Sequence, residues 1–158
     1  LSFTINGSVR ESEQPAERMV VDILAEELDI VTCRRGCVTG ACGRCMILLD
    51  GMPMHSCLVP AFRISGRAIR TVEGLLEEED YRDIERSLSR AAIYPPPSWG
   101  GALVLAIYSL LQRDLDPDDM AIESVIRSVS ARGVPYAGVV RAVRWAAELK
   151  RRRLQREH

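Results

Sequence analysis

The sequence predicts an α+β chain, with a first half that builds a sheet on one helix and a second half that is helical throughout. Three observations carry this. Between residues 2 and 72, short apolar or alternating segments are cut by Asn6-Gly7 and Asp50-Gly51, dipeptides that favour two-residue hairpin turns. From about residue 80 onward, apolar residues instead recur every three or four positions. Sulfur is also placed unevenly: Cys33, Cys37, Cys42, Cys45 and Cys57 precede residue 58, and no cysteine follows.

Ser2-Phe-Thr-Ile5 alternates into Asn6-Gly7 and Ser8-Val-Arg10 returns, so the chain should begin with a hairpin. Residues 16–28 place Met19, Val20, Ile23, Leu24 and Leu28 at helical spacing, with Glu26 and Glu27 outward. A glycine-rich loop carries the next thiols. Met46-Ile-Leu-Leu49 then reads as an apolar strand, Asp50-Gly51 as a tight turn and Met52-Pro-Met54 as a returning strand, which sets Cys57 just beyond a hairpin. Gly66 and a strand over 68–72 complete an open sheet packed on one helix, the β-grasp arrangement, over residues 1–75.

Glu73-Gly-Leu-Leu-Glu-Glu-Glu-Asp80 breaks the strand pattern, and the domain boundary falls there. Residues 76–158 read as a four-helix-bundle domain. The first helix, 81–92, puts Tyr81, Ile84, Leu88 and Ala91 or Ala92 on one face and stops at Pro95-Pro96-Pro97. The second, 99–113, is apolar nearly all round, which predicts burial on most sides by its own domain or by a partner subunit. The third begins at Asp116-Pro117-Asp118-Asp119, read as N-cap, proline at N1 and carboxylates in the first turn, with Met120, Ile122, Val125, Ile126 and Val129 inward. The last, 135–153, turns Val139, Val140, Val143, Trp145 or Ala146, and Leu149 inward and ends in Lys150-Arg-Arg-Arg153. That basic run reads as a solvated helix end, favoured by the macrodipole, rather than a nucleic-acid patch.

The 158 residues are 47% hydrophobic and 27% charged, with 21 basic and 22 acidic side chains and a formal net charge of −1. Such a chain is globular in type, and its charge makes no case for nucleic acid or a membrane surface as partner. No stretch resembles a membrane span or a secretory signal, so a cytoplasmic location is expected, where thiols stay reduced.

Cys37-Val-Thr-Gly-Ala-Cys42-Gly-Arg-Cys45, closed later by Cys57, has the C-x4-C-x2-C spacing with a distant fourth cysteine that holds a plant-type [2Fe-2S] cluster. Two bridged irons need four converging thiolates; one short loop can deliver three and another segment the fourth. Gly36, Gly40 and Gly43 interleave with these cysteines, as expected if the backbone turns through positive φ and brings N–H groups to the cluster sulfurs. Three other readings compete. A redox dithiol at Cys42 and Cys45 would need a βαβ context, zinc usually takes its cysteines as two separated pairs, and a disulfide framework suits a secreted chain. Arg34, Arg35 and Arg44 either offset cluster charge, meet an acidic partner or are solvated.

The order of Asn6-Gly7, the cysteine loop, Asp50-Gly51, Ser56-Cys57-Leu58, Thr71-Val-Glu-Gly-Leu75 and a helical region resembles the iron–sulfur subunit of the molybdenum hydroxylases, the xanthine dehydrogenase and carbon monoxide dehydrogenase family. The resemblance implies a plant-type ferredoxin domain in which Cys37, Cys42, Cys45 and Cys57 ligate one [2Fe-2S] cluster and Cys33 does not. It also implies electron transfer rather than catalysis, with a large subunit holding molybdopterin and probably a medium subunit holding FAD. In that family the helical domain binds a second cluster through two cysteine motifs, and neither occurs here. Aligning through Tyr108 and Tyr136 puts the missing ligands at Pro96, Trp99, Ala131 and Gly133, with Arg132 still in frame. His55 and His158 are not placed to replace them, so one cluster is expected, with Trp99 and Pro95 to Pro97 filling the vacated volume. The alternative is an assembly subunit whose single cluster is structural or redox-sensing.

Overall fold

The computed structural model describes residues 1–129 and 133–157. Ala131, Arg132 and His158 lie outside the described residues. Strand β1 (Ser2–Ile5) pairs antiparallel with β2 (Ser8–Glu11) through Asn6 and Gly7, both left-handed at φ 48° and 84°. That is the backbone a type I′ turn requires. Helix α1 (Val20–Glu26) follows, then β3 (Met46–Leu49), β4 (Met52–His55) and β5 (Ala68–Arg70). The sheet order is β2-β1-β5-β3-β4, with β1 and β5 parallel and every other pair antiparallel.

Helix α1 starts later than the apolar spacing predicts. The carbonyls of Ala16 and Arg18 accept from the N–H groups of Phe62 and Ala61, so they are unavailable to a first helical turn. Tertiary pairing displaces local helix there.

The rest of the chain contributes α2 (Glu79–Arg90), α3 (Pro97–Arg113), α4 (Asp119–Ser128) and α5 (Tyr136–Arg156). Helix α3 is the pivot. It packs on β3 and β4 as well as on α2 and α4, which accounts for its lack of a polar face without any partner subunit. Strand β3 is correspondingly buried at all four positions. Ile47 and Leu49 face α1 with Phe3, Ile5, Ile23 and Leu24, whereas Met46 and Leu48 join the core around α3. The open sheet expected to lie on one helix is therefore covered on both faces at β3. Polar contacts pin the second face: Arg70 donates to the Tyr108 hydroxyl at 2.9 Å and Ser109 to the Gly51 carbonyl at 3.2 Å.

Three further expectations change. The N-cap of α4 is Asp118, whose Oδ1 accepts from the Ala121 N–H at 2.8 Å, so Pro117 lies outside the helix and Met120 is 79% exposed. Two residues from Ile122 is about 200° around the helix, which turns Met120 away from the core. Trp99 is partly buried against the helical core, but Pro96 and Pro97 are exposed, and Pro95 and Pro97 line an open cleft instead of filling an interior.

The basic run at the end of α5 is also not wholly solvated. Lys150 is buried and donates to Asp80 at 2.8 Å, and Arg153 pairs with Asp80 and with Asp83 at 3.4 Å. Burial alone would raise the Asp80 pKa, but hydrogen bonds from Lys150, Gln112 and Arg153 and the adjacent charges outweigh it and hold the carboxyl below its usual value of 3.8. A lowered folded-state pKa means stability that is present above the unfolded value and lost as pH falls through the folded one. Asp80→Asn should cost about 2–4 kcal/mol at pH 7 because it strands two cations. The deficit relative to the parent should begin to shrink below about pH 4 and close only below the lowered folded-state pKa, where both chains carry a neutral group. Urea denaturation at pH 7 and pH 3 checks both points; a deficit that does not change with pH would show that the charge on Asp80 is not what matters.

Candidate iron–sulfur site

The cysteine loop runs without regular structure from the end of α1 to β3. Its two ends are fixed differently. At the start, Arg35 makes a two-pronged ion pair with Asp22 of α1, at 2.9 and 2.8 Å. At the finish, the Cys45 carbonyl accepts from the Ser56 N–H at 3.1 Å, the Ser56 hydroxyl at 2.7 Å and the Cys33 thiol at 3.3 Å. The hairpin register pairs Met46 with His55, so Ser56 falls opposite Cys45 and Cys57 arrives beside it. Hairpin geometry is thus what delivers the fourth thiol.

All five cysteines are free. Cys37 has Cys42 as its nearest thiol neighbour and Cys57 has Cys45, close enough for each to perturb the other, giving two adjoining pairs. Among the described residues no group of three or more His, Cys, Asp or Glu side chains converges on a single ion position. Two pairs suit a binuclear centre, with two thiolates to each iron, better than one tetrahedral zinc.

Backbone donors are already aimed at this sulfur. The N–H of Cys42, the Cys42 thiol and the N–H of Thr39 bring Cys37 down to about 6, and the Arg44 N–H reaches Cys42. Burial pushes Cys42 up and, helped by its contact with Cys45, pushes Cys57 up to about 12. Desolvated thiols resist carrying negative charge unless a cation is supplied, and bound iron supplies one. Donor set and cradle therefore fit an iron–sulfur group.

The glycines act in two ways. Gly40 and Gly43 hold φ of 74° and 72° as the loop chemistry requires. Gly36 has no positive φ; a Cβ there would sit 2.8 Å from Arg44 Cδ and 3.0 Å from Cys42 Sγ, so close approach is its constraint. Cys33 faces the core beneath the loop, where burial pushes its thiol up to about 12. In the chain stripped of metal, Cys37 should be alkylated first at pH 7 and Cys33 last. Mass mapping after brief iodoacetamide treatment checks the order; early labelling of Cys33 would contradict its burial.

His55 carries no signal in the sequence pattern yet touches the site. Its Nδ1 lies 2.9 Å from the Gly40 carbonyl oxygen and its Nε2 3.3 Å from that of Ser128, at the end of α4. Of the other two cysteine-loop cations, Arg44 lies across Gly36 and Arg34 is exposed.

No protein-family model matches the chain. It is 34% identical over 90 residues to the 6-hydroxypseudooxynicotine dehydrogenase complex subunit beta of Paenarthrobacter nicotinovorans, a match spanning 57% of this chain and 56% of that one. It is 24% identical to the nicotinate dehydrogenase small FeS subunit of Eubacterium barkeri, over 94% of each chain. Among solved structures, a chain of quinoline 2-oxidoreductase from Pseudomonas putida 86 superposes with a TM-score of 0.85 at 30% identity, covering 96% of this chain and 95% of that one. The full-length likeness and the two thiol pairs agree: the chain belongs to the iron–sulfur subunits of the molybdenum hydroxylase family.

Proposed function

We propose that the chain is an electron-transfer subunit in which Cys37, Cys42, Cys45 and Cys57 hold a single [2Fe-2S] cluster. The observation that carries this is the two adjoining thiol pairs on a loop whose N–H groups already face the sulfur. A bound [2Fe-2S] cluster supplies reversible one-electron transfer, at potentials set by hydrogen bonding, charge and solvent exposure. The chain's own residues orient and shield it. Gly40 and Gly43 let the backbone fold close, the N–H groups of Thr39, Cys42 and Arg44 favour anionic sulfur, and Cys33 with Ser56 anchors the Cys45 carbonyl.

On this reading residues 1–75 form a ferredoxin-like β-grasp domain and residues 76–158 a helical bundle without cluster ligands. Partners are a molybdopterin-binding large subunit and an FAD-binding medium subunit, in the cytoplasm. No helix among the described residues is long and apolar enough to cross a membrane. Iron and acid-labile sulfide analysis of the purified chain, with EPR after dithionite reduction, tests the reading. Two irons per chain and one rhombic signal are expected; four irons and two signals would overturn the single-cluster claim.

A second reading is favoured by one observation, the lack of any cysteine after Cys57. Without a second relay, the subunit serves assembly and its cluster is structural or redox-sensing. Turnover of the assembled complex with and without the cluster separates the two.

A further inference from the structure

We propose that His55 is a positioning residue for the cluster: its imidazole, held between the Gly40 and Ser128 carbonyls, seats the cysteine loop on the end of α4 and so tunes the cluster's reduction potential. This rests on the reading that the four cysteines hold a [2Fe-2S] cluster.

Two independent contacts meet at the same oxygen. The Ser128 carbonyl belongs to the last residue of α4, so it has no acceptor role within the helix and must find a partner outside. His55 Nε2 reaches it at 3.3 Å from one direction. The loop backbone reaches it from another, because a Cβ built on Gly43 would lie 2.2 Å from that oxygen and 3.0 Å from Val129 Cα. Gly43 is buried, sits between the ligand candidates Cys42 and Cys45, and belongs to the peptide whose Arg44 N–H faces Cys42. The cysteine loop thus rests directly on the helical part at the point where the ring ties them together.

The other arm of the ring acts inside the loop. Nδ1 bonds the Gly40 carbonyl at 2.9 Å, midway between Cys37 and Cys42, the first thiol pair. A donor on that carbonyl polarises the peptide running on to Ala41 and restrains the turn at φ 74°. Hydrogen-bond donors and positive charge held beside an anionic cluster favour its reduced form. Loss of the ring should therefore move the potential in the negative direction. Both partners are acceptors, so the ring holds both arms by donating an N–H from each nitrogen, as the imidazolium does, and through it loop geometry is coupled to the seating on α4.

Asparagine places an amide nitrogen near the Nδ1 position and glutamine near Nε2, which separates the arms. The test is a potentiometric titration followed by EPR, together with hydrogen exchange of backbone amides 125–129, on the full chain in its complex. His55→Ala should lower the potential and speed exchange about tenfold or more. His55→Asn, neutral like His55→Ala, should hold the potential above that of His55→Ala while exchange is fast, and His55→Gln should slow exchange at the potential of His55→Ala. Parental potential and exchange in His55→Ala would overturn the role of His55, as would all three variants shifting both readouts alike, the mark of general loosening. A parent chain without iron–sulfur absorbance would overturn the cluster reading, and the potential claim with it.

Discussion

Cys42→Ser is expected to abolish the iron–sulfur chromophore, lowering visible absorbance and iron content at least about tenfold while far-UV dichroism stays that of a folded chain. Cys42 is closely held by the loop: it neighbours Cys37, receives the Arg44 N–H and lies 3.0 Å from where a Gly36 Cβ would be. A serine hydroxyl is a harder, far less acidic donor that cannot match thiolate as an iron ligand. If the chain conducts electrons, turnover of the assembled complex with an artificial acceptor should fall by about 100-fold or more, roughly 2.7 kcal/mol in the barrier. Undiminished turnover in a complex that has lost its cluster would decide for the assembly role. Cys33→Ala is the matched control: its thiol donates to the Cys45 carbonyl and faces the core, so iron content should hold.

Gly43→Ala should be among the most destabilising single-methyl additions in the chain. An L-residue at φ 72° costs about 1–2 kcal/mol, and the new Cβ would meet the Ser128 carbonyl at 2.2 Å, a backbone atom that no rotamer change can move aside. A total of about 3 kcal/mol or more is expected. Gly51→Ala isolates the conformational part, since Gly51 has φ 81° and nothing within 4 Å of a Cβ. It should cost only about 1–2 kcal/mol. Urea unfolding of both variants measures the difference, and equal losses would mean that the loop does not press on α4.

Local chemistry was legible in the residues. Asn6-Gly7 and Asp50-Gly51 turn where their backbone preferences direct, with all four residues at positive φ. The strands beside them follow because a two-residue turn sets the register of its flanks. Helix α3 was legible as buried, but not the surface that buries it. Its N-terminal boundary moved to Pro97, which is tolerated at N1, whereas the start of α1 was lost to hydrogen bonds from residues 61 and 62. Periodicity sees neither a competing acceptor nor a distant carboxylate. For that reason Lys150 and Arg153 read as solvated, although Asp80 and Asp83 draw them inward across an interval of about 70 residues.

By itself the sequence carried the proposal for the site: four thiols at the spacing of a plant-type iron–sulfur group, a glycine-rich loop to carry three of them, and no cysteine after Cys57. Spacing along a chain suffices for this because a nine-residue loop, Cys37 to Cys45, has few ways to close around one small group. Only the tertiary structure decided how the thiols pair, that the hairpin register brings Cys57 to Cys45, and that His55 and Gly43 meet the helical part at the Ser128 carbonyl. Those contacts join residues up to 85 positions apart, and nothing in the pattern near either partner marks the other. They exist because β3, buried on both faces, holds the loop and the helices to one shared wall.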